Sequence, residues 1–170
     1  MSQSMYTLSV PRFTNLICNL KSFLEKAIAY SVEKNIADDV LPASRIIADM
    51  YPLSTQVQIV CDQAKGCVAR LAGIEAPTFE DSEKTLPELI TRIEKTLAFL
   101  ETVKAEQLDG TELKDIHLSF PSITLDLKGA VYLHEFTLPN MYFHLTTAYN
   151  ILRQNGLELG KRDFIGNITQ

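Results

Sequence analysis

Positive charge is scarce in this chain. Sixteen Lys and Arg stand against 21 Asp and Glu, a formal net charge of -5, with a pI of about 5.2. Nucleic-acid binding needs a basic footprint, so nucleic acid is not an expected partner. Long apolar runs are missing too. None approaches the roughly 18 residues that cross a bilayer, and the opening MSQSMYTLSV lacks the charged start and apolar stretch of a secretory leader. We therefore expect no membrane association and a cytoplasmic location. Cysteine is limited to Cys18, Cys61 and Cys67. The odd count argues for free thiols, and the interval from Cys61 to Cys67 is not the C-x2-C of a zinc knuckle, so all three are read as buried apolar residues. "NIT" at Asn167 matches the glycosylation pattern, which has no meaning in a cytoplasmic chain.

Catalytic signatures are equally sparse. G-x-S-x-G and the P-loop pattern are absent. The tail GLELGKRDFIG is glycine-rich with Lys161 and Arg162, but without a strand-loop-helix context it reads as an extension folded over the bundle or onto a second subunit. His134 opens "HEFTL", yet Leu138 stands where a zincin needs its second histidine, and no E-x-x-H occurs to support a di-iron site.

What is present is helical periodicity. Hydrophobic residues form 46% of the 170 residues, enough for one domain, residues 1–170, with a core that needs no metal or disulfide. Apolar residues recur in steps of three and four in four stretches. The first follows Ser9, with Pro11 in its first turn, and runs to about Asn35, presenting Phe13, Leu16, Ile17, Leu20 and Leu24. The second carries Leu53, Val57, Val60, Ala64, Val68 and Leu71 and stops at Gly73. Ile46 and Met50 continue its stripe backward, but Pro52 intervenes, which predicts a kink or a fresh start. The third opens on Thr85 and Glu88 with the spacing of a capping box. The fourth starts near Pro139 and ends at Gly156. Between the last two, ITLDLKGAVYLHEF alternates with period two on either side of Lys128-Gly129 and predicts a short β-hairpin, with DIHLSF as a third strand. The expected architecture is all-α: four helices with long crossovers and a small hairpin insertion.

Few side chains then qualify for chemistry. His117 belongs to the polar face of its strand and reads as a surface histidine. His144 sits about 60° from Met141 on the flank of the fourth stripe, pointing partly inward. Gln56 has the same relation to the second stripe, and Asp49 joins it if that helix continues through Pro52. Tyr51, Tyr142 and Tyr149 add aromatic surface that is commonly core edge. Asp49, Tyr51, Gln56, His144 and Tyr149 are the candidates for one interior ligand pocket. The competing reading is a hydrogen-bonded polar contact inside the bundle. His144 is the one candidate metal ligand, and a transition metal normally asks for three.

The blocks IIADMYPLSTQVQIVCDQAKGCVARLAG and LPNMYFHLTTAYNILRQNGLELGKRDF, with FEDSEKTLPELITRIEKTLAFLE between them, resemble a bacterial domain-of-unknown-function family of the DinB/YfiT-like superfamily. The resemblance spans nearly the whole chain. It implies a four-helix bundle with long crossovers and a homodimer. In many members of that superfamily it also implies a divalent metal on three histidines, one on helix two and two a turn apart on helix four, serving thiol transfer or isomerisation. Here His144 matches one of the pair, its partner position holds Asn140 or Ala148, and Gln56 stands at the helix-two place. We therefore expect no cofactor and a small-molecule ligand in the pocket. The alternatives are a metal-dependent transferase or hydrolase, with Zn, Ni, Mn or Fe on His144, and an interaction protein acting through its dimer surface.

Overall fold

The structure is a computed structural model that describes residues 4–120 and 123–166; Asn167 lies outside them. Helix α1, Met5–Lys34, begins one turn earlier than the sequence suggests. Ser4 caps it by accepting from the Thr7 N–H at 3.3 Å, and Asp109 reaches across to accept from the Tyr6 N–H at 2.9 Å. With two of the orphan donors of the first turn satisfied and Met5 buried, the helix forms despite Pro11 in its interior. A short turn of helix, α2 (Val40–Ala43), follows.

Helix α3, Leu53–Ala72, starts afresh after an extended Pro52 and closes on Gly73 in the left-handed region (φ 72°). The segment before it does not continue the helix. The Leu53 N–H donates to the Ser44 carbonyl at 2.9 Å, and Arg45 donates to the carbonyls of Ala48 and Met50, both at 3.3 Å. Those bonds fold residues 44–50 into turns and leave Ile46, Ile47 and Asp49 exposed. Helix α4, Leu86–Thr102, carries the capping box in full: Glu88 accepts from the Thr85 N–H at 2.9 Å while the Thr85 hydroxyl accepts from the Glu88 N–H at 3.4 Å. A short α5, Ala105–Leu108, leads to the sheet.

The hairpin pairs β1 (Asp115–Ser119) with β2 (Thr124–Lys128), antiparallel, with His117 opposite Asp126. DIHLS is therefore one of two strands rather than a third, and Lys128-Gly129 is a strand-to-helix junction rather than the turn. Residues after Gly129 form α6 (Gly129–Val131), a π-helical turn (Tyr132–Thr137) and α7 (Leu138–Gln154) without a break. Val131 and Leu133 fit a strand by alternation alone. The residues that are buried, Tyr132, Leu133, Thr137, Leu138 and Met141, recur at helical intervals, and burial decides between the two periods. A final short helix, α8 (Lys161–Ile165), lies on α1.

The four long helices form the bundle: α3 packs along α7 and α4, and α1 along α4, α3 and α7. Phe13, Ile17, Leu20, Leu53, Val60, Leu89, Ile93, Leu145 and Leu152 are fully buried in it. Cys61 and Cys67 belong to the same core, and burial pushes both thiols up to about 12; Cys18, expected to be buried with them, faces solvent. The junction at Gly129 has no room for a side chain, since a Cβ would come within 2.1 Å of the Thr111 carbonyl oxygen. Gly129→Ala is expected to cost about 1–3 kcal/mol by overpacking, read from the shift of a urea denaturation midpoint.

Candidate functional site

Gln56 lies one turn into α3, and its side chain is buried because the flank of the stripe Leu53–Val57–Val60 faces α7. A buried carboxamide must satisfy both ends. Its Nε2 donates to the Tyr51 carbonyl at 2.9 Å, and its Oε1 stands 2.7 Å from Nδ1 of His144. Reversing the amide would set two carbonyl oxygens against each other, so Oε1 accepts and Nδ1 carries the proton. The imidazole is thereby held as the Nδ1–H tautomer, with the lone pair on Nε2. Among the described residues Nε2 has no hydrogen-bond partner, and it is not among the buried unpartnered atoms, so it opens to solvent.

Burial lowers the His144 pKa below the ordinary histidine value. The ring is half-buried and meets the Phe143 ring edge-on, centroids 5.2 Å apart. Neutral imidazole is the form this setting favours. The folded state binds the proton less readily than the unfolded chain. The contribution of His144 to stability is therefore complete above the unfolded pKa of about 6.5 and is lost as pH falls through the lowered folded value.

The other sequence candidates divide. Tyr51 contributes its backbone carbonyl, while its ring is exposed. Asp49 is exposed in the turns before α3 rather than on the helix, which starts only at Leu53. Tyr149 is five residues beyond His144, about 140° round the helix. It packs edge-on against Phe23 and Phe164 and donates to the Leu159 carbonyl at 3.1 Å, holding down the C-terminal segment. His117 is exposed on β1 beside Asp126 at 2.7 Å, as a surface histidine should be.

The donor set does not fit a three-histidine metal centre. Ala148 is fully buried and has no donor. Asn140 turns its Nδ2 back to the Phe136 carbonyl at 2.7 Å, and the Gln56 oxygen is committed to Nδ1 rather than placed beside Nε2. Among the described residues no three His, Cys, Asp or Glu side chains gather at any point.

One charged cluster went unread in the sequence. Arg92 of α4, 2% exposed, reaches Asp62, Asp81 and Glu83, each at 2.9 Å, and the Glu80 carbonyl at 3.3 Å. Gln58 donates to the second oxygen of Glu83 at 2.9 Å. The guanidinium lies 5.4 Å from the centre of the Phe79 ring. The signal was an arginine set among Leu89, Ile93 and Thr96 on the stripe of α4, opposite the acidic run FEDSE. A cleft of about 410 Å³ opens beside it between Phe79, Glu80, Glu83 and Lys95; His144 is not in its walls. Asp62, Asp81 and Glu83 are already paired with Arg92, so the cluster clasps the 73–85 connection onto α3 and α4.

A family model described as "Domain of unknown function (DUF1993)" matches residues 5–165. The chain is also similar to a solved structure described as a DinB family member protein from Shewanella denitrificans, at 42% identity and a TM-score of 0.88. The match covers 97% of this chain and 93% of that one. No curated protein sequence matches.

Proposed function

We propose a function for a chain that belongs to the DUF1993 family, within the DinB-like superfamily: it binds a small uncharged molecule at the edge of the bundle, between α3 and α7. The observation that carries this reading is the Gln56–His144 bond, which uses Nδ1 and leaves Nε2 as a fixed, neutral hydrogen-bond acceptor at the surface. A histidine sealed in the core would have both nitrogens satisfied by the protein. Here one is held and the other is offered. The surroundings suit an uncharged ligand, since no Asp, Glu, Lys or Arg occurs from Met50 to Cys61 or from Leu138 to Leu152. Tyr51, Tyr142 and Phe143 supply exposed aromatic surface on the same two stretches, and aromatic rings are the usual lining of small-molecule sites.

The test is a library of neutral fragments watched through the His144 imidazole resonances. Hits should move those resonances and raise the melting temperature, and the stabilisation should vanish in His144→Phe. If no fragment moves His144, the reading falls.

A metal-assisted mechanism finds no support in the donor set around His144. Protein purified without chelator after growth with zinc, nickel, manganese and iron is expected to carry well under one metal per chain, and His144→Ala is expected to leave that content unchanged. Elemental analysis of both proteins decides. A second reading, association of two copies through this uncharged face, is favoured by the exposure of Tyr51, Tyr142 and Phe143. Light scattering of Phe143→Ser beside the unaltered protein distinguishes it, since a dimer held by this face would dissociate.

A further inference from the structure

Resting on the ligand-binding reading of His144, we infer that the group recognised there is a neutral planar –NH2, as in a primary carboxamide or an amino-substituted heteroaromatic ring. A second acceptor stands one helical turn away. Asn140 is half-buried, and its Nδ2 is committed to the Phe136 carbonyl at 2.7 Å. That commitment leaves Oδ1, which has no hydrogen-bond partner among the described residues and is not among the buried unpartnered atoms. The π-helical turn Tyr132–Thr137 lies directly before α7, and the Phe136 carbonyl within it is what holds the Asn140 amide in this orientation. The site thus offers two acceptors on one face of α7, Oδ1 of Asn140 and Nε2 of His144.

Two acceptors one helical turn apart favour a ligand that donates twice. One helical turn of separation puts the two side chains within reach of one ligand group. Residues i and i+4 on a helix have Cβ atoms about 5–6 Å apart. Two N–H bonds at 120°, each reaching an acceptor at about 2.9 Å, span acceptors about 5 Å apart. The charge of the group follows from the walls. An ammonium would enter a half-buried site whose two helical stretches carry no carboxylate, so no opposite charge on them offsets its desolvation. A carboxylate or phosphate would meet two acceptors and be repelled. A neutral –NH2 on a ring matches both acceptors and stacks its apolar body against the exposed Phe143.

The test uses four molecules that share one ring and differ in the polar group: benzamide, N,N-dimethylbenzamide, benzoate and benzylammonium. Each is titrated into the full-length protein while the His144 imidazole nitrogens are followed by NMR. Benzamide is expected to shift Nε2 and leave Nδ1 in its bond to Gln56. N,N-dimethylbenzamide is expected to bind at least tenfold more weakly, and benzoate and benzylammonium more weakly still. Asn140→Ala should weaken benzamide about threefold to tenfold, the loss of one hydrogen bond. If N,N-dimethylbenzamide binds as well as benzamide, or benzylammonium binds best, the –NH2 assignment is wrong although His144 remains a binding site. If none of the four, nor any neutral fragment, moves His144, the binding reading fails with it.

Discussion

Arg92→Leu is expected to destabilise the fold by about 3–5 kcal/mol, the cost of removing one partner from a buried ion pair and leaving the other unpaired. Three carboxylates converge on this guanidinium at 2.9 Å, and Glu83 is itself only 11% exposed. Without Arg92 the carboxylates repel one another, while Glu83 keeps the 2.9 Å bond from Gln58. Lys65, 3.1 Å from Asp62 and 5.1 Å from the Phe79 ring centre, answers part of the charge on the outer side. Urea denaturation would give the loss directly. Adding Glu83→Gln to Arg92→Leu should recover part of it, because the two sites share an interaction and their effects are not additive.

The same cluster sets an acid limit. Burial raises the Glu83 pKa, but the hydrogen bonds from Gln58 and Arg92 outweigh it and hold the group below the ordinary carboxylate range. A carboxylate lowered in the folded state contributes stability that is complete above its unfolded pKa, about 4.3, and is lost as pH falls through the folded value. Stability should therefore fall below about pH 4.3 in the native protein. In Arg92→Leu one depressing partner is gone while the bond from Gln58 remains, and the loss should begin at higher pH.

Gln56→Glu is expected to reverse the direction of the His144 titration. In the native protein burial lowers that pKa, and the neutral amide of Gln56 does nothing to favour a charge. A carboxylate at the 2.7 Å position of Oε1 would favour imidazolium and carry the midpoint above the ordinary histidine value. The Tyr51 carbonyl would lose the donor that Gln56 now supplies, so a cost of about 1–3 kcal/mol in stability at neutral pH accompanies the change. Nε2 would then carry a proton near neutrality and cease to accept, and every neutral fragment that binds the native protein should bind the variant at least tenfold more weakly. Gln56→Leu separates the two effects: it removes the hydrogen bond without adding charge, leaves the Nδ1–H without its partner and frees the tautomer.

The bundle was legible because its long helices announce themselves locally. Thr85 and Glu88 cap in the sequence as they do in space, Gly73 ends α3 where periodicity stops, and the stripe of α7 runs from Met141 to Leu152. The segment 129–137 was misread because a short stretch with Val131 and Leu133 two apart satisfies a strand and a helix alike. The outcome rests on Tyr132 and Thr137 finding the core, which no local pattern shows. The setting of Asp49 was illegible for a related reason: the turns that expose it depend on Arg45 bonding to backbone carbonyls, an interaction absent from any hydrophobic pattern. The pairing of Gln56 with His144 could be suspected from two flanking positions on two stripes. The tautomer could not, because it follows from where the second end of the Gln56 amide goes. Arg92 was missed because charged residues on a helix are ordinarily read as solvent-facing, and its three carboxylates come from two separate parts of the chain.

The most direct test is the nitrogen-15 spectrum of the His144 ring at neutral pH in the unliganded protein, with assignment by loss of the signal in His144→Phe. A single neutral tautomer with the proton on Nδ1 and an unprotonated Nε2 is the predicted result, and it should collapse to the ordinary mixture in Gln56→Leu. A proton on Nε2, or a ring charged at neutral pH, would contradict the account, because the acceptor on which the proposed binding depends would not exist.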